Sequence, residues 1–396
     1  MKILFVAFPH SIHTARWIMQ VTDQGWDVHL YPSDQWPLHE KLQGKVNFHK
    51  PTLRLSFLRR ALMRLLMHWP THRGSGHLRR MIHRLEKREI TDLGDLIQHI
   101  QPDMVHSLEI QHAGYLTHAA KRKLGAKFPT WLVTNWGSDV YLFGQLEEHR
   151  EQVKAVLRDC DYYACECERD IAIAQGLGFS GKVLTVLPAG GGFDLDDLLQ
   201  YRTPGKVSER KVIILKGYQH WAGRAMVGLR AIEMCAEEIK AGGYRVLVPL
   251  ANPDMRIAAE VVANATGLQF EYPIHGPYEG ALERFGSARI HIGLSISDGI
   301  SQSFLESMVL GAFPIQSGTA CADEWITDGE TGFVVPPNDP HIVADALRKA
   351  LADDALVDEA AAKNWQTCQE RLAYPIVKAQ AVALYERVYS ETQQPA

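Results

Sequence analysis

Two carboxylates, Asp298 and Glu306, lie eight positions apart in the stretch Ser297–Pro314 and flank Gly299, Ile300, Ser301, Gln302 and Ser303. The serines and Gln302 stand where a helix should begin and Gly311 where it should end. A helix N-terminus offers unpaired backbone N–H groups and the positive end of a dipole, which suits a diphosphate. Gly299 lets the backbone come close to a ligand. Glu306, about one turn in, can accept paired hydroxyls such as those of a ribose, and Asp298 can accept hydroxyls of whatever the diphosphate carries. The stretch is therefore suited to a sugar, a diphosphate and a ribose in line. A second reading stays open: Ser303-x-x-Glu306 has the form of a capping box, which would explain the glutamate by helix stability alone and leave Asp298 an ordinary turn residue.

Such a stretch has to sit at the end of a strand, and the chain supplies strands in a regular order. Short apolar runs at Lys2–Phe8, Asp27–Tyr31, Asp103–His106, Thr130–Thr134, Tyr162–Cys165 and Val183–Leu187 alternate with helical periodicity, such as His13–Gln24. This is the pattern of βαβ units and a parallel, doubly wound sheet. A polar stretch from Tyr201 to Lys211, with Pro204 and Gly205 inside, reads as a linker. The pattern then restarts at Val212–Leu215, Arg245–Val248, Phe270–Ile274, Ile290–Leu294, Phe313–Ile315 and Gly332–Val335. Two Rossmann-like domains in tandem follow, and 396 residues are more than one ordinary core holds. Neither domain has Gly-x-Gly-x-x-Gly after its first strand, which argues against a dinucleotide. A last helix is expected from Ile376 to Tyr389, with a frayed tail from Glu391.

Composition bounds the function. With 46% hydrophobic and 22% charged residues and a net charge of −4, the chain is globular and has no global electrostatic footprint for nucleic acid. Its six cysteines are scattered in apolar segments; only Cys165 and Cys167 are close-set, so buried reduced thiols are expected rather than a zinc site. No signal peptide and no run of about 20 apolar residues is present, so a cytoplasmic protein is expected. One segment departs from the pattern. Between Leu53 and Glu89, Arg54, Arg59, Arg60, Arg64, Arg79, Arg80 and Arg88 interleave with Phe57, Trp69 and several leucines. Such a segment suits an anionic membrane surface, or it is a helical face packed on its own domain.

The opening stretch resembles the acid-x7-Glu motif of the retaining GT-B glycosyltransferases of family four. The resemblance continues along the chain: Gly311-Ala-Phe-Pro-Ile315, the turn Asp328-Gly-Glu-Thr-Gly-Phe-Val-Val335, Pro102-Asp-Met-Val-His106, Gly137-Ser-Asp139 and Gly192-Phe-Asp194 each resemble a family element. It implies α/β GT-B architecture: two Rossmann-like doubly wound parallel-sheet domains facing a cleft, with the C-terminal helix crossing back onto the first. The expected boundaries are 1–203 for the acceptor domain, with a basic helical insert at 53–89, 204–375 for the donor domain, and 376–396 for the returning helix. It implies transfer from a nucleotide-diphosphate sugar with retention, no cofactor and no essential metal. Lys216 and Arg224 would then join Asp298 and Glu306 as catalytic residues. Gly217, Gly299, Ile300, Ser301, Gln302, Ser303 and Ile274 would contact the donor, and His13, Arg16, His106, Glu109, Trp136 and Asp139 would line the acceptor side. The basic segment between Arg54 and Arg88, by holding the first domain on the inner membrane face, would suit a lipid-linked or envelope glycan as acceptor.

The sequence departs from the family pattern at three places. The first acid is Asp298 where Glu is commoner, Trp136 stands where the family has His, and the loop Pro9–Arg16 lacks a double glycine. His13, His106 or His112 could stand in for the missing histidine, or a tryptophan face could stack on sugar C–H groups. No enzyme nucleophile stands out. Two alternatives remain beside transfer: a nucleotide-sugar epimerase of the same fold, and a non-catalytic protein that binds nucleotide-sugar.

Overall fold

The computed structural model describes residues 1–49, 93–273 and 278–393. The basic segment 53–89 and Ile274 lie outside the described residues. The chain forms two units. The first comprises Met1–Glu166, Asp170–Gly191 and Lys378–Ala396; the second comprises Cys167–Arg169 and Gly192–Val377. The polar stretch from Tyr201 to Lys211 belongs to the second unit. There Arg210 is buried, and its guanidinium donates to the carbonyls of Ala288, Leu310 and Thr203. The passage to the second unit lies at Gly192, beside the return strand of chain: Phe193 N–H donates to Leu372 O at 2.7 Å and Tyr374 N–H to Phe193 O at 2.7 Å. A Cβ on Gly192 would stand 2.7 Å from Tyr374 Cα, so this crossing requires glycine.

The first unit is built on a seven-stranded parallel sheet in the order β3-β2-β1-β4-β5-β6-β7. Its strands are β1 (Lys2–Ala7), β2 (Asp27–Pro32), β3 (Asn47–Phe48), β4 (Met104–Leu108), β5 (Thr130–Thr134), β6 (Tyr162–Cys165) and β7 (Lys182–Val186). Leu4, Val6, Val105, Trp131 and Val133 face one apolar cluster. On the other face Phe5 meets Tyr385 of the last helix, Tyr374–Gln393, at 5.9 Å between ring centroids. Both faces are covered, which is why these strands read as continuous apolar runs. The last helix is fixed to the first unit by polar pairs, of which the first is buried. Trp17 Nε1–H donates to the Tyr385 hydroxyl at 2.7 Å, and Glu391 accepts from the Tyr162 hydroxyl at 2.8 Å and pairs with Lys182 at 2.7 Å.

The second unit repeats the plan with six parallel strands in the order β10-β9-β8-β11-β12-β13. They are β8 (Val212–Leu215), β9 (Arg245–Leu247), β10 (Phe270–Glu271), β11 (Ile290–Gly293), β12 (Phe313–Ser317) and β13 (Phe333–Val335). Along β8, Ile213 and Leu215 enter one core cluster while Val212 and Ile214 enter the other. Each such fully buried side chain is worth about 1.5–3 kcal/mol. In both sheets the winding reverses beside the first strand, between β1 and β4 and between β8 and β11. Ligands of open α/β sheets bind outside the carboxyl ends of the strands at that point.

Candidate active site

At the carboxyl end of β8 the chain runs into Lys216, and at the carboxyl end of β11 it runs into the loop Ser295–Ser301. The two strands hold these loops together: Lys216 N–H donates to Ile292 O at 2.9 Å and Arg224 N–H to Leu294 O at 3.0 Å. The helix that follows spans Gln302–Val309, with Ser301 as N-cap. Its start is two residues earlier than a Ser303 cap requires, so the capping box is not formed, and Glu306 is the fifth helical residue. Ser301 makes no side-chain cap either. Its hydroxyl instead receives the Lys216 ammonium at 2.8 Å and lies 3.1 Å from the Ser303 hydroxyl. Among the described residues no protein group accepts from the backbone N–H groups of Ser301, Gln302 or Ser303.

Glu306 is buried, and its Oε1 accepts from the Tyr278 hydroxyl at 2.6 Å and from Gln302 Nε2 at 3.4 Å. Asp298 is half-buried and accepts from Gly299 N–H at 3.0 Å. Its loop is clamped by Arg169, whose guanidinium donates to Asp298 O at 3.0 Å and to Thr319 O at 2.9 Å. Ile300 is buried in the adjoining core. Gly217 is forced by packing, since a Cβ there would meet Pro249 O at 2.7 Å and Ala251 N at 2.8 Å. Arg224 is turned onto its own loop: Nη1 donates to the carbonyls of His220, Trp221, Ala222 and Gly223, and Nε to Asn338 Oδ1 at 3.2 Å.

The electrostatics are those of a desolvated cation among acids. Burial lowers the Lys216 pKa, while Asp298 and Glu306 pull it back up. His220 is lowered by burial and then by Lys216 and Arg224, so these cations share one neighbourhood with it. His291, on β11, is fully buried with neither ring nitrogen hydrogen-bonded to a described residue. Burial, reinforced by the Lys216 charge, lowers it to about 3, so it is neutral. Arg169, Tyr278 and His291 were not singled out from the sequence, and no spacing marks them.

In the first unit the residues expected on the acceptor side divide into two groups. His106 is inside the core, bonded through Nδ1 to the Tyr385 hydroxyl at 2.8 Å and through Nε2 to Thr134 Oγ1 at 2.7 Å; burial lowers it to about 3. Glu109 and Asp139 are buried and bound to backbone. Glu109 accepts from His112 N–H at 3.0 Å and from Ala113 N–H; Asp139 accepts from Ile110 N–H at 3.0 Å and Trp136 N–H at 2.8 Å. Burial, and then the Glu109 charge, push Asp139 well above the usual carboxylate range. His13, Arg16 and Trp136 are half-buried, and Trp136 lies against Phe8 and His13 at 6.2 and 5.8 Å between ring centroids.

All six cysteines are buried free thiols. Among the described residues one group has metal-ligating atoms close together: those of Cys167, Cys321 and Glu324 lie within 4.8 Å of one another. Both Glu324 oxygens already accept backbone N–H groups, from Glu168 at 2.9 Å and Arg169 at 3.1 Å. No helix among the described residues is long and apolar enough to cross a membrane.

Residues 77–166 match the family described as Glycosyl transferase 4-like, and residues 225–353 match that described as Glycosyl transferases group 1. The second match contains Asp298 and Glu306. The fold is shared along its whole length with sucrose-phosphate synthase from Thermosynechococcus elongatus (15% identity, TM-score 0.71, 99% of this chain and 100% of that one). It is shared equally with a glycosyltransferase from Rickettsia africae (13%, 0.69, 100% and 99%). A third similar structure is Anabaena Alr3699/HepE in complex with UDP-glucose (12%, 0.68, 98% and 100%). No curated protein sequence matches the chain.

Proposed function

We infer from its being a glycosyltransferase of the GT-B fold that the chain moves a sugar from a nucleotide-diphosphate sugar to an acceptor hydroxyl with retention of configuration. The observation that carries this reading is the convergence of the Lys216 ammonium with the Ser301 hydroxyl, 2.8 Å apart, at the uncapped start of the helix Gln302–Val309. A serine that gives up its cap to hold a lysine leaves the helix amides and the ammonium to the same ligand, and that ligand is an anion. Glu306 takes the ribose hydroxyls and Asp298 those of the donor sugar. Arg224 reaches the diphosphate by exchanging its loop carbonyls for phosphate oxygens.

In the reaction the C1–O bond to phosphate breaks and its electron pair leaves on the phosphate oxygen. The acceptor oxygen bonds to C1 on that same face, and its proton passes to the departing phosphate. Preorganised donors at the developing charge do the work that a metal does elsewhere. The test is a panel of nucleotide-diphosphate sugars screened first for thermal stabilisation, where a ligand at 100 times its Kd adds about 2.7 kcal/mol. Transfer with the best donor, followed by the anomeric signal of the product, should show the donor's configuration and survive EDTA. Inversion overturns retention, and loss in EDTA restored by Mg²⁺ overturns metal independence. A free epimer made without acceptor points to an epimerase, and binding without turnover to a non-catalytic protein.

The acceptor proposed is a lipid-linked or envelope glycan met at the inner membrane face, on the strength of the basic and apolar residues between Arg54 and Arg88. Each basic residue near an anionic surface contributes about 1 kcal/mol. Binding to anionic vesicles should fall with salt, as the Debye length shrinks from ~10 Å at 0.1 M to ~3 Å at 1 M. Glutamates at Arg59, Arg60 and Arg64 should release the protein and leave donor binding intact. A wild type that ignores such vesicles at low salt moves the acceptor to soluble molecules.

A further inference from the structure

Six rings form one run at the carboxyl ends of the strands that meet at the first unit's switch point. Phe8 and His10 follow β1, Trp36 follows β2, His112 follows β4, Trp136 follows β5, and His13 begins the helix Ile12–Met19. The rings touch in sequence. Trp36 lies 5.5 Å from His10, His10 lies 6.1 Å from Phe8, Phe8 lies 4.8 Å from His112 and 6.2 Å from Trp136, and Trp136 lies 5.8 Å from His13. The run passes from half-buried Trp136 to Trp36, which is 63% exposed.

Packing alone does not explain this arrangement. The turns that carry His112 and Trp136 are bound by two buried carboxylates. Glu109 sits in the left-handed region at φ 78° and gives its carboxylate to His112 N–H and Ala113 N–H, while Asp139 gives one oxygen to both Ile110 N–H and Trp136 N–H. A non-glycine residue held at positive φ is a cost that surrounding structure has to over-determine, and such costs gather at ligand sites. Glu109 and Asp139 thus act through the rings they position. What they position is a surface of π faces with imidazole edges, beside the carboxylate of Asp34, which lies 3.3 Å from His10.

The geometry points to an aromatic platform that takes a neutral pyranose ring, the sugar unit of the acceptor, by its C–H face. The negative π face of an aromatic ring attracts the weakly positive C–H groups of a sugar, and imidazole edges and hydroxyls exchange hydrogen bonds. The neighbouring carboxylate disfavours a phosphate at the same place. Calling this ligand the acceptor rests on the transferase reading; the platform itself does not.

The test uses methyl glucoside, methyl galactoside and methyl N-acetylglucosaminide with the full chain, read by saturation-transfer NMR. At least one glycoside should receive saturation on its ring C–H protons. Trp36→Ala should weaken it about tenfold, and Ile257→Ala, at an exposed site on the second unit, should not change it. A panel that receives no saturation overturns the platform, as does signal that persists unchanged in both Trp36→Ala and His10→Ala. Displacement of the glycoside by inorganic phosphate overturns the ligand class. Donor binding is read separately, by thermal stabilisation with the panel of nucleotide-diphosphate sugars. Stabilisation by none of them would overturn the donor reading while the glycoside result stands.

Discussion

Glu306→Gln should weaken donor binding roughly ten- to hundredfold, the equivalent of the 1.5–3 kcal/mol of a hydrogen bond to a charged group, and leave the stability of the free protein within about 0.5 kcal/mol. The second half of that expectation comes from the helix start. With Ser301 as N-cap, the position that would complete a capping box is Phe304, and Glu306 caps nothing. Glutamine keeps an oxygen for the Tyr278 hydroxyl, 2.6 Å away, and for Gln302, so the local bonds persist. What it loses is the charge, which ligand hydroxyls meet when they arrive and which in the free protein also helps to keep Lys216 protonated. Calorimetry with the donor selected by the panel reads the first half, and a melt without ligand reads the second. A variant that melts early yet binds as well as wild type would return Glu306 to a structural role. Tyr278→Phe, which removes one neutral donor to the same oxygen, should cost only a few-fold.

The sheets were legible because parallel strands covered on both faces read as near-continuous apolar runs. Among the described residues, all but one of the thirteen strands stand at a run marked by that rule; β3, at two residues, Asn47–Phe48, is too short and too polar to show. Helix ends were less legible. The helix after β1 stops at Met19 rather than running to Gln24, because the chain turns at Gln20 well before Gly25. Ser303-x-x-Glu306 fits the capping-box pattern, but three polar residues compete for the cap, and the extended backbone at Ser301, φ −68° and ψ 121°, decides among them.

At the site, what was legible was local. Asp298, the small donors and Glu306 fall within a few residues and could be read as a unit. Lys216 was readable only as the residue after the second unit's first strand. Arg169 reaches the Asp298 carbonyl across 129 positions and Tyr278 reaches Glu306 across 28, and sequence spacing carries no trace of either. Glu109 and Asp139 show the opposite failure. They were marked as polar residues in promising turns, and they lie in those turns, but Glu109 gives both carboxylate oxygens and Asp139 one of its two to backbone N–H groups. A side chain's chemistry can be read from its type; whether the backbone has already claimed it is a matter of tertiary geometry.

Lys216→Met should lower kcat by roughly 10²–10³, the cost of removing one preorganised donor from a developing oxyanion, with a smaller effect on donor affinity. The asymmetry follows from where charge appears. The diphosphate in the bound donor is already neutralised in part by the helix start, and the extra negative charge arises only as the C1–O bond breaks. Lys216 is suited to that moment because Ser301 holds its ammonium at 2.8 Å in a desolvated place, where a charge interaction is stronger than in water. The same desolvation has a signature in pH. The ammonium is the active form, and burial lowers its pKa below the ordinary lysine value against the upward pull of Asp298 and Glu306. As pH rises through that lowered value the charge is lost, so the alkaline limb of the kcat profile should begin below the pH at which a solvated lysine titrates. Donor binding should hold that limb back, since a diphosphate beside Lys216 favours its charged form; kcat/KM, which reports the free enzyme, should therefore fall first. Lys216→Arg keeps the charge across the range and should move the limb to higher pH, even where the larger guanidinium lowers the plateau. A Lys216→Met variant with kcat within threefold of wild type and an unchanged alkaline limb would remove Lys216 from the chemistry and leave the helix amides as the remaining stabiliser of the leaving diphosphate.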